Sequence, residues 1–470
     1  MSREAVLGTL ALLAAPALLA AQPAPRRDPV VAITRVSVVD VERSRTLADH
    51  TVLIRDGRIA DVGPSRDVRV SREARVIDGR GRYLIPGLWD MHVHTVGGSS
   101  ERILPVYVAY GVTGVRDMGT DLDVLRRERD RIRRGETVGP RIVMAGPILD
   151  GPLGVPTPPA HRRWRIELTD TVRARHVVDS LARAGADFIK VHERLSAPVY
   201  LAIAARARRA RLPFAGHIPD SVGPLAVVAA GQRSVEHLVN VPLPCTAAES
   251  ISLRPRGPLE ALLGRCSSAD LAPLYRRFAG PRLHHTPTLV VQQAVALRPD
   301  AHPGDPGTRY TPAPVRELML EAGPFGGPLP PEDVRRRMRA LFDKRVQQVS
   351  ALHRAGVPLL VGTDAPGVAP GWSVHEELRL LVRAGLSSAE ALRAATLEPA
   401  RWLGASDSLG AVSRGRRADL VLLDADPLAD IGATRRIRAV VADGRVYDRA
   451  ALDALLADAA KRAGPASEQR

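Results

Sequence analysis

The sequence predicts an α/β protein, a (β/α)8 TIM barrel with a small β-sandwich domain assembled from both chain ends. Three observations predict it. In the middle of the chain, short apolar runs alternate with Ala- and Arg-rich segments of helical character, the pattern of repeated βα units around a parallel sheet. Those runs end at His94, Asp117, Gly146, His192, His217, His237, near Thr288 and at Asp364, which makes eight, the number that closes a barrel. The third observation is a pair of matching all-β blocks at opposite ends. The first holds Val31-Ala-Ile-Thr-Arg-Val, Thr51-Val-Leu-Ile-Arg and Ile59-Ala-Asp-Val-Gly63 around an Asp56-Gly57 turn. The second holds Ala418-Asp-Leu-Val-Leu-Leu, Ile437-Arg-Ala-Val-Val and Arg445-Val-Tyr447 around an Asp443-Gly444 turn.

The chain begins with Arg3, an uncharged apolar run over residues 5–19, the small residues Ala20 and Ala21, and a Pro-rich stretch. This order is that of a secretory signal peptide over 1–24. An N-terminal membrane anchor is the alternative, although the run is shorter than the roughly 20 residues that span a bilayer. Both place the folded part outside the cytosol, periplasmic or extracellular. The first β block then occupies 30–84, the barrel 85–405, the second β block 406–450, and a C-terminal tail 451–470. Two stretches interrupt the βα rhythm, 147–163 and 296–332, the second with a helical piece over 315–321. Long loops after barrel strands lie on the active-site face, so both are candidate lids or pocket walls; for 301–314 a plain surface insertion is the alternative.

Composition excludes several classes. A chain of 470 residues with 45% hydrophobic and 25% charged residues is an ordinary globular protein. Its net charge of +16 comes from arginines scattered through every segment, and with 3% aromatic residues no stacking platform for nucleic acid exists. The two cysteines, Cys245 and Cys266, can pair in an exported protein, and their spacing is not that of a metal site. Among 67 basic residues only Lys190, Lys344 and Lys461 are lysines. A chain that uses arginine nearly everywhere has kept a lysine at position 190, where a surface lysine reaching past a strand end is the alternative to a reactive primary amine.

The strongest local signal is Pro86-Gly-Leu-Trp-Asp-Met-His92-Val-His94. Residues two apart on a strand share a face, so both imidazoles can converge on one cation. Next, Asp187-Phe-Ile-Lys190 places a lysine at a strand end. Only an amine that can lose its proton can react with carbon dioxide to form a carbamate, which arginine cannot do. Carbamylated, Lys190 supplies a bridging carboxylate between two metals. His217 and His237 end consecutive strands and are second-metal ligands by the same orientation. Finally Pro358-Leu-Leu-Val-Gly-Thr-Asp364 delivers one carboxylate that binds metal and carries the proton during hydrolysis. Its alternative task is to cap a following helix.

The order HxH, Lys, His, His, Asp on successive strands resembles the binuclear amidohydrolase superfamily, particularly its imidazolonepropionase-like and Xaa-Pro dipeptidase-like branch. The tail is similar as well, with His375-Glu-Glu-Leu, Glu390-Ala-Leu-Arg-Ala-Ala-Thr396 and Gly415-Arg-Arg-Ala-Asp-Leu420. The resemblance covers nearly the whole chain after the signal peptide. It implies two divalent metal ions, zinc first and manganese, iron or cobalt as alternatives, held by His92, His94, Lys190, His217, His237 and Asp364. It implies hydrolysis of an amide C–N bond with Asp364 as the proton carrier, on dipeptides or N-acyl amino acids. A lactone, ester or phosphotriester hydrolase is the first alternative, and a non-catalytic exported metal-binding barrel the second. Arg116, Arg163 and the pair His284-His285 lie near strand or loop ends and are candidates for contact with a substrate carboxylate. The expected partner is a small-molecule substrate, with no nucleic acid and no membrane once the signal peptide is removed; a homo-oligomer is left open.

Overall fold

A computed structural model of the chain describes residues 30–95, 100–152, 164–280, 282–297, 309–310 and 330–464. The expected signal peptide over 1–24, Arg163, most of 147–163, nearly all of 296–332 and the helical piece 315–321 lie outside the described residues.

Both chain ends build one mixed sheet. Val30–Asp40 pairs antiparallel with Arg45–Arg55, which pairs with Arg58–Pro64; Arg75–Asp78 lies parallel beside Val30–Asp40. On its other side the first strand meets Tyr83–Pro86, which pairs antiparallel with Leu420–Leu423, followed by Ile437–Ala442 and Arg445–Asp448. The two Asp-Gly turns take positive φ at both residues, 52° and 73° at Asp56-Gly57, 50° and 73° at Asp443-Gly444. That is the geometry that lets a two-residue turn follow strand twist. A side chain on Gly444 would come within 2.4 Å of the Gly57 Cα, so the two turns touch.

The strands of the two expected β blocks form one continuous mixed sheet. The C-terminal strands join edge to edge at Tyr83–Pro86, and the turns at the two far ends of the sheet, Asp56-Gly57 and Asp443-Gly444, meet. Alternation along Leu420–Leu423 shows how the two faces are used. Leu420 and Leu422 pack with Val31, Ile33, Val52 and Ile54, while Val421 and Leu423 turn toward the α/β body. The expected C-terminal tail over 451–470 carries most of a helix, Arg449–Ala463. Asp448 caps it, and Leu452, Leu455, Ala459 and Ala463 are buried at helical spacing.

The middle of the chain is a TIM-barrel-like α/β body. Leu88–Val93, Val112–Asp117 and Arg141–Met144 form one parallel sheet. Ile148–Asp150, Ile189–Val191, Phe214–Gly216, Ser234–Glu236 and His284–Thr286 form another, with Arg165–Glu167 added outside Ile148–Asp150. The Asp187 N–H donates to the Met144 carbonyl at 2.8 Å, Leu360 to His285 at 2.9 Å, and Met91 to Val361 at 2.8 Å. The eighth expected strand, ending at Asp364, is instead an extended segment with isolated bridges at Leu359 and Ala365. Its end departs from strand geometry because the Asp90 carboxylate takes the Thr363 N–H and hydroxyl, and Asp364 adopts φ 61°. Between His237 and His284 an insertion carries the short pair Leu243–Pro244 and Cys266–Ser267, where Cys245 and Cys266 form a disulfide with Cα atoms 5.5 Å apart. Among the described residues no helix is long and apolar enough to cross a membrane.

Arg141 ties the body to the sheet. On a strand of the body, its guanidinium pairs with Asp419 at 2.7 Å and Asp443 at 2.8 Å, and Asp419 also accepts the Asp443 N–H. The Asp419 side chain is 7% exposed and that of Arg141 25%. Removing the cation strands the Asp419 carboxylate, while Asp443 keeps Arg445 at 3.0 Å, and partial exposure lowers the cost below that of a fully buried pair. Arg141→Ala should lower stability by about 2 kcal/mol, read as a reduced urea midpoint; an unchanged midpoint would mean that water replaces the guanidinium without cost.

Candidate metal centre

The site residues come together at the carboxyl ends of the parallel strands. His92 and His94 flank Val93 and face one side; Lys190 ends in the same space from Ile189–Val191. His217 and His237 each lie one residue past a strand, and Asp364 ends the eighth segment. Two glycines allow the approach. A Cβ on Gly216 would sit 2.0 Å from the Val191 carbonyl oxygen, and one on Gly362 would meet the His92 Cβ at 2.8 Å.

Asp364 is the meeting point. Its Oδ1 lies 3.5 Å from His92 Nε2 and 3.4 Å from His94 Nε2, and its Oδ2 lies 3.9 Å from His237 Nε2. The His217 ring is 5.0 Å from that of His237, and His237 is 4.4 Å from His92. Within this set the atoms of His92, His237 and Asp364 are mutually close enough to hold one ion, so Asp364 and His237 bridge the two groups assigned from sequence. His237, Thr288 and Asp364 all have φ between 50° and 61°, an uncommon backbone state that collects at functional sites.

Every one of the four histidines is anchored through Nδ1. His92 meets the Glu236 carboxylate at 2.8 Å, His94 the Gly119 carbonyl at 3.0 Å, and His217 the Glu193 carboxylate at 2.6 Å. His237 meets the Thr288 hydroxyl at 2.7 Å, whose own proton goes to the Pro287 carbonyl. All four partners accept, so Nδ1 carries the proton and each Nε2 is left with a lone pair. This is how metal-binding histidines are oriented. His92 Nε2 and Lys190 Nζ are buried with no hydrogen-bond partner among the described residues. A buried donor or acceptor left unpaired costs about 1–3 kcal/mol, and a cation with its bridging ligand removes that cost. The donor set, nitrogen and carboxylate oxygen, suits zinc and its first-row neighbours.

Burial sets the electrostatics. It drives His92 and His217 well below the ordinary imidazole range, and His237 to about 4, so these rings stay neutral as ligands must. Burial also lowers Lys190 to about 8, against the opposing pull of Glu236 and Asp364. For Asp364 burial acts upward, but His237 and the His94 contact outweigh it and hold the carboxyl low. His94 moves the other way, its burial outweighed by Asp364.

Beneath His92 lies a buried ion pair. Arg116 donates to Glu236 at 2.9 Å, to Ser234 at 2.8 Å and to the Met91 carbonyl at 2.6 Å, and its guanidinium stacks 4.4 Å from the Trp402 ring. Arg116 is thereby corrected from a substrate contact to a support for Glu236, fully buried and committed to these partners. His284 is corrected likewise, since it starts its strand and pairs with Glu398 at 3.3 Å. His285 is buried against Phe278. Sequence reasoning passed over Glu236, Glu193 and His192; the last two form a second close group with His217. Glu236 directly precedes His237, and His192 follows Lys190 at the spacing of the HxH pair, which were the available signals. Cavity size is no guide here: a surface cavity of about 700 Å³ lined by Arg254, Arg256 and Arg265 contains none of these residues.

A TIM-barrel-like body with histidines, a lysine and an aspartate gathered at its strand ends defines a class of metal-binding α/β proteins. The chain belongs to the Amidohydrolase family, whose model matches residues 83–447. The imidazolonepropionase of Klebsiella pneumoniae subsp. pneumoniae is 26% identical over 401 residues, covering 81% of this chain and 87% of that protein. The adenine deaminase of Ruegeria sp. (strain TM1040) is 43% identical over only 60 residues, 13% of this chain and 10% of that protein. Among solved structures, bottromycin amidohydrolase superposes with a TM-score of 0.73 at 27% identity, covering 94% of this chain and 92% of that one. A Xaa-Pro dipeptidase with bound methionine shares the fold, with a TM-score of 0.64 at 20% identity and coverage of 89% and 100%.

Two outcomes follow from these contacts. Glu236→Gln keeps an acceptor but loses the charge that fixes His92, and should weaken metal affinity about 10–100-fold in a chelator competition; unchanged affinity would show that Arg116 and the strand hold His92 unaided. In metal-free protein, burial holds His237 at about 4 and His285 and His375 at about 3, against 6.5 for a free ring. As pH falls from about 6.5 toward 3 the unfolded chain binds protons that the native rings refuse, so stability declines through that window. The urea midpoint of chelator-treated protein should be lower at pH 5 than at pH 7; equal midpoints would mean that these rings are open to water.

Proposed function

We propose that this protein is an exported, metal-dependent hydrolase of amide C–N bonds that works with a binuclear centre. The observation that carries the reading is the common orientation of four histidines: each gives its Nδ1 proton to an acceptor and turns a lone pair toward the space that Asp364 and the unpaired Lys190 amine share. His92, His94 and Asp364 would hold one cation, His217 and His237 the other, and Lys190 would bridge them. The relatives support an amide as the bond cleaved, since an amidohydrolase and an imidazolonepropionase align over most of the chain. The disulfide between Cys245 and Cys266 supports an oxidising compartment, together with the signal-like N-terminus.

Two bound divalent cations, zinc foremost, would polarise the scissile carbonyl and lower the pKa of a shared water. The protein's own groups do the rest. Lys190, held at about 8 by burial, has a neutral fraction at neutral pH; the neutral amine adds to carbon dioxide and releases one proton, which leaves a carboxylate on Nζ. The Asp364 carboxylate takes the proton lost by the attacking water and returns it to the departing nitrogen, so the amide N leaves as a neutral amine. Arg116 and Glu236 keep His92 in its binding tautomer. Dipeptides and N-acyl amino acids are the substrates this site would serve.

Metal analysis of the mature protein grown with bicarbonate tests this directly. Close to two metals per chain, falling to one or none in Lys190→Ala, is the expected result. Asp364→Asn should retain much of the metal and lose hydrolysis. One metal in both wild type and Lys190→Ala would overturn the bridging lysine.

A further inference from the structure

Beside the second metal position the structure holds a group that the reaction above does not use. His192 follows Ile189–Val191, and alternation turns it to the same side as Lys190. Its ring lies 3.9 Å from that of His217 at an interplanar angle of 31°, stacked on that ligand. Its Nδ1 is 2.9 Å from Oδ2 of Asp150. Asp150 is fully buried, pairs with Arg165, and accepts the Gly151 and Arg194 N–H groups at 2.8 and 2.9 Å. The two atoms face each other at ion-pair distance without completing a hydrogen bond; a carboxylate offers only lone pairs, so it favours the proton on the ring nitrogen facing it and a lone pair on Nε2.

Glu193 completes the arrangement. Its Oε2 accepts from His217, and its side chain is 31% exposed. Neither His192 Nε2 nor Glu193 Oε1 has a partner among the described residues. Arg165 balances the charge of Asp150, while no cation pairs with Glu193 among the described residues. His192 and Glu193, with side chains 21% and 31% exposed, thus offer an acceptor lone pair and a negative charge beside His217. A carboxylate or acyl oxygen would be repelled there; an ammonium group, with three donors and a positive charge, matches it.

We propose that His192 and Glu193 form a specificity subsite that takes the free α-ammonium group of a peptide's first residue, so that aminoacyl compounds such as dipeptides are substrates in preference to N-acylated amino acids. The proposal rests on the amide-hydrolase reading of the adjoining centre and narrows its substrate class. His192 acts by holding the substrate, and Asp150 acts through His192 as a positioning residue.

The test compares alanyl-alanine with its des-amino analogue propionyl-alanine, in wild type, His192→Phe and Glu193→Gln. Phenylalanine keeps the stacking on His217, and glutamine keeps an acceptor for its Nδ1; metal content is measured for each protein. Kinetics on metal-loaded enzyme are paired with calorimetric binding of both compounds to chelator-treated protein. A charged hydrogen bond contributes about 1.5–3 kcal/mol, so wild type should favour alanyl-alanine about tenfold or more in kcat/KM and in Kd, and both variants should lose that preference. No preference in wild type, or equal losses on the two compounds in the variants, would overturn the subsite. If wild type hydrolyses neither compound but its Kd preference depends on His192, the subsite stands and the hydrolase reading fails. If neither compound is bound or cleaved, the subsite fails.

Discussion

A charged pair sealed inside the α/β body governs the geometry around it. Arg116 and Glu236 are both fully buried, and isolated ions of that kind are strongly disfavoured there. They persist because each is saturated: the guanidinium by Ser234, Met91 and the face of Trp402, the carboxylate by Arg116 and the His92 ring. Three strands, Leu88–Val93, Val112–Asp117 and Ser234–Glu236, and the helix Leu397–Trp402 must therefore sit in register for the charges to be paid for. The same contacts point His92 outward, so folding and ligand placement are one condition. Asp90 repeats the arrangement at smaller scale. It binds Thr363 and the His92 N–H, and burial pushes its carboxyl up to about 7.

The site shows two layers with different physics. Groups that face the open centre are nitrogen lone pairs, one amine and one carboxylate, kept neutral or anionic by burial and by one another. Groups behind them are acceptors, Glu236, Glu193, Thr288 and the Gly119 carbonyl, which do no more than fix a proton on the far side of each ring. Such a layer makes the lone pairs available without waiting for a cation to select a tautomer.

Legibility in the sequence followed range. His92 and His94 could be placed because strand alternation is local, and Lys190, His217, His237 and Asp364 because each ends an apolar run. The two Asp-Gly turns were equally plain. What stayed hidden depends on contacts between strands far apart in the chain. Arg116 sits one residue before the end of its run, and position along the strand did not reveal that its side chain turns under the ligands. His284 opens its strand instead of closing it. Asp150 carries no pattern of its own, and the local signals at Glu236 and His192, beside His237 and two residues after Lys190, do not say what either does; their tasks exist only once neighbouring strands are assembled. The edge-to-edge joining of the two β blocks was hidden for the same reason, as was the final helix, whose alanine-rich face gives a weak periodic signal.

The sheet shared by the two chain ends has a further consequence for how the molecule comes into being. Leu420–Leu423 must find Tyr83–Pro86 across almost the entire chain, and such distant pairings are slow because loop closure precedes any gain. The strands that carry the ligands all lie between these ends. During synthesis the first block emerges with its inner edge unpaired and waits for a partner made last. An exposed strand edge of that kind is a template for wrong pairing, so the interval between the first and last strands is the period in which this chain is most open to aggregation.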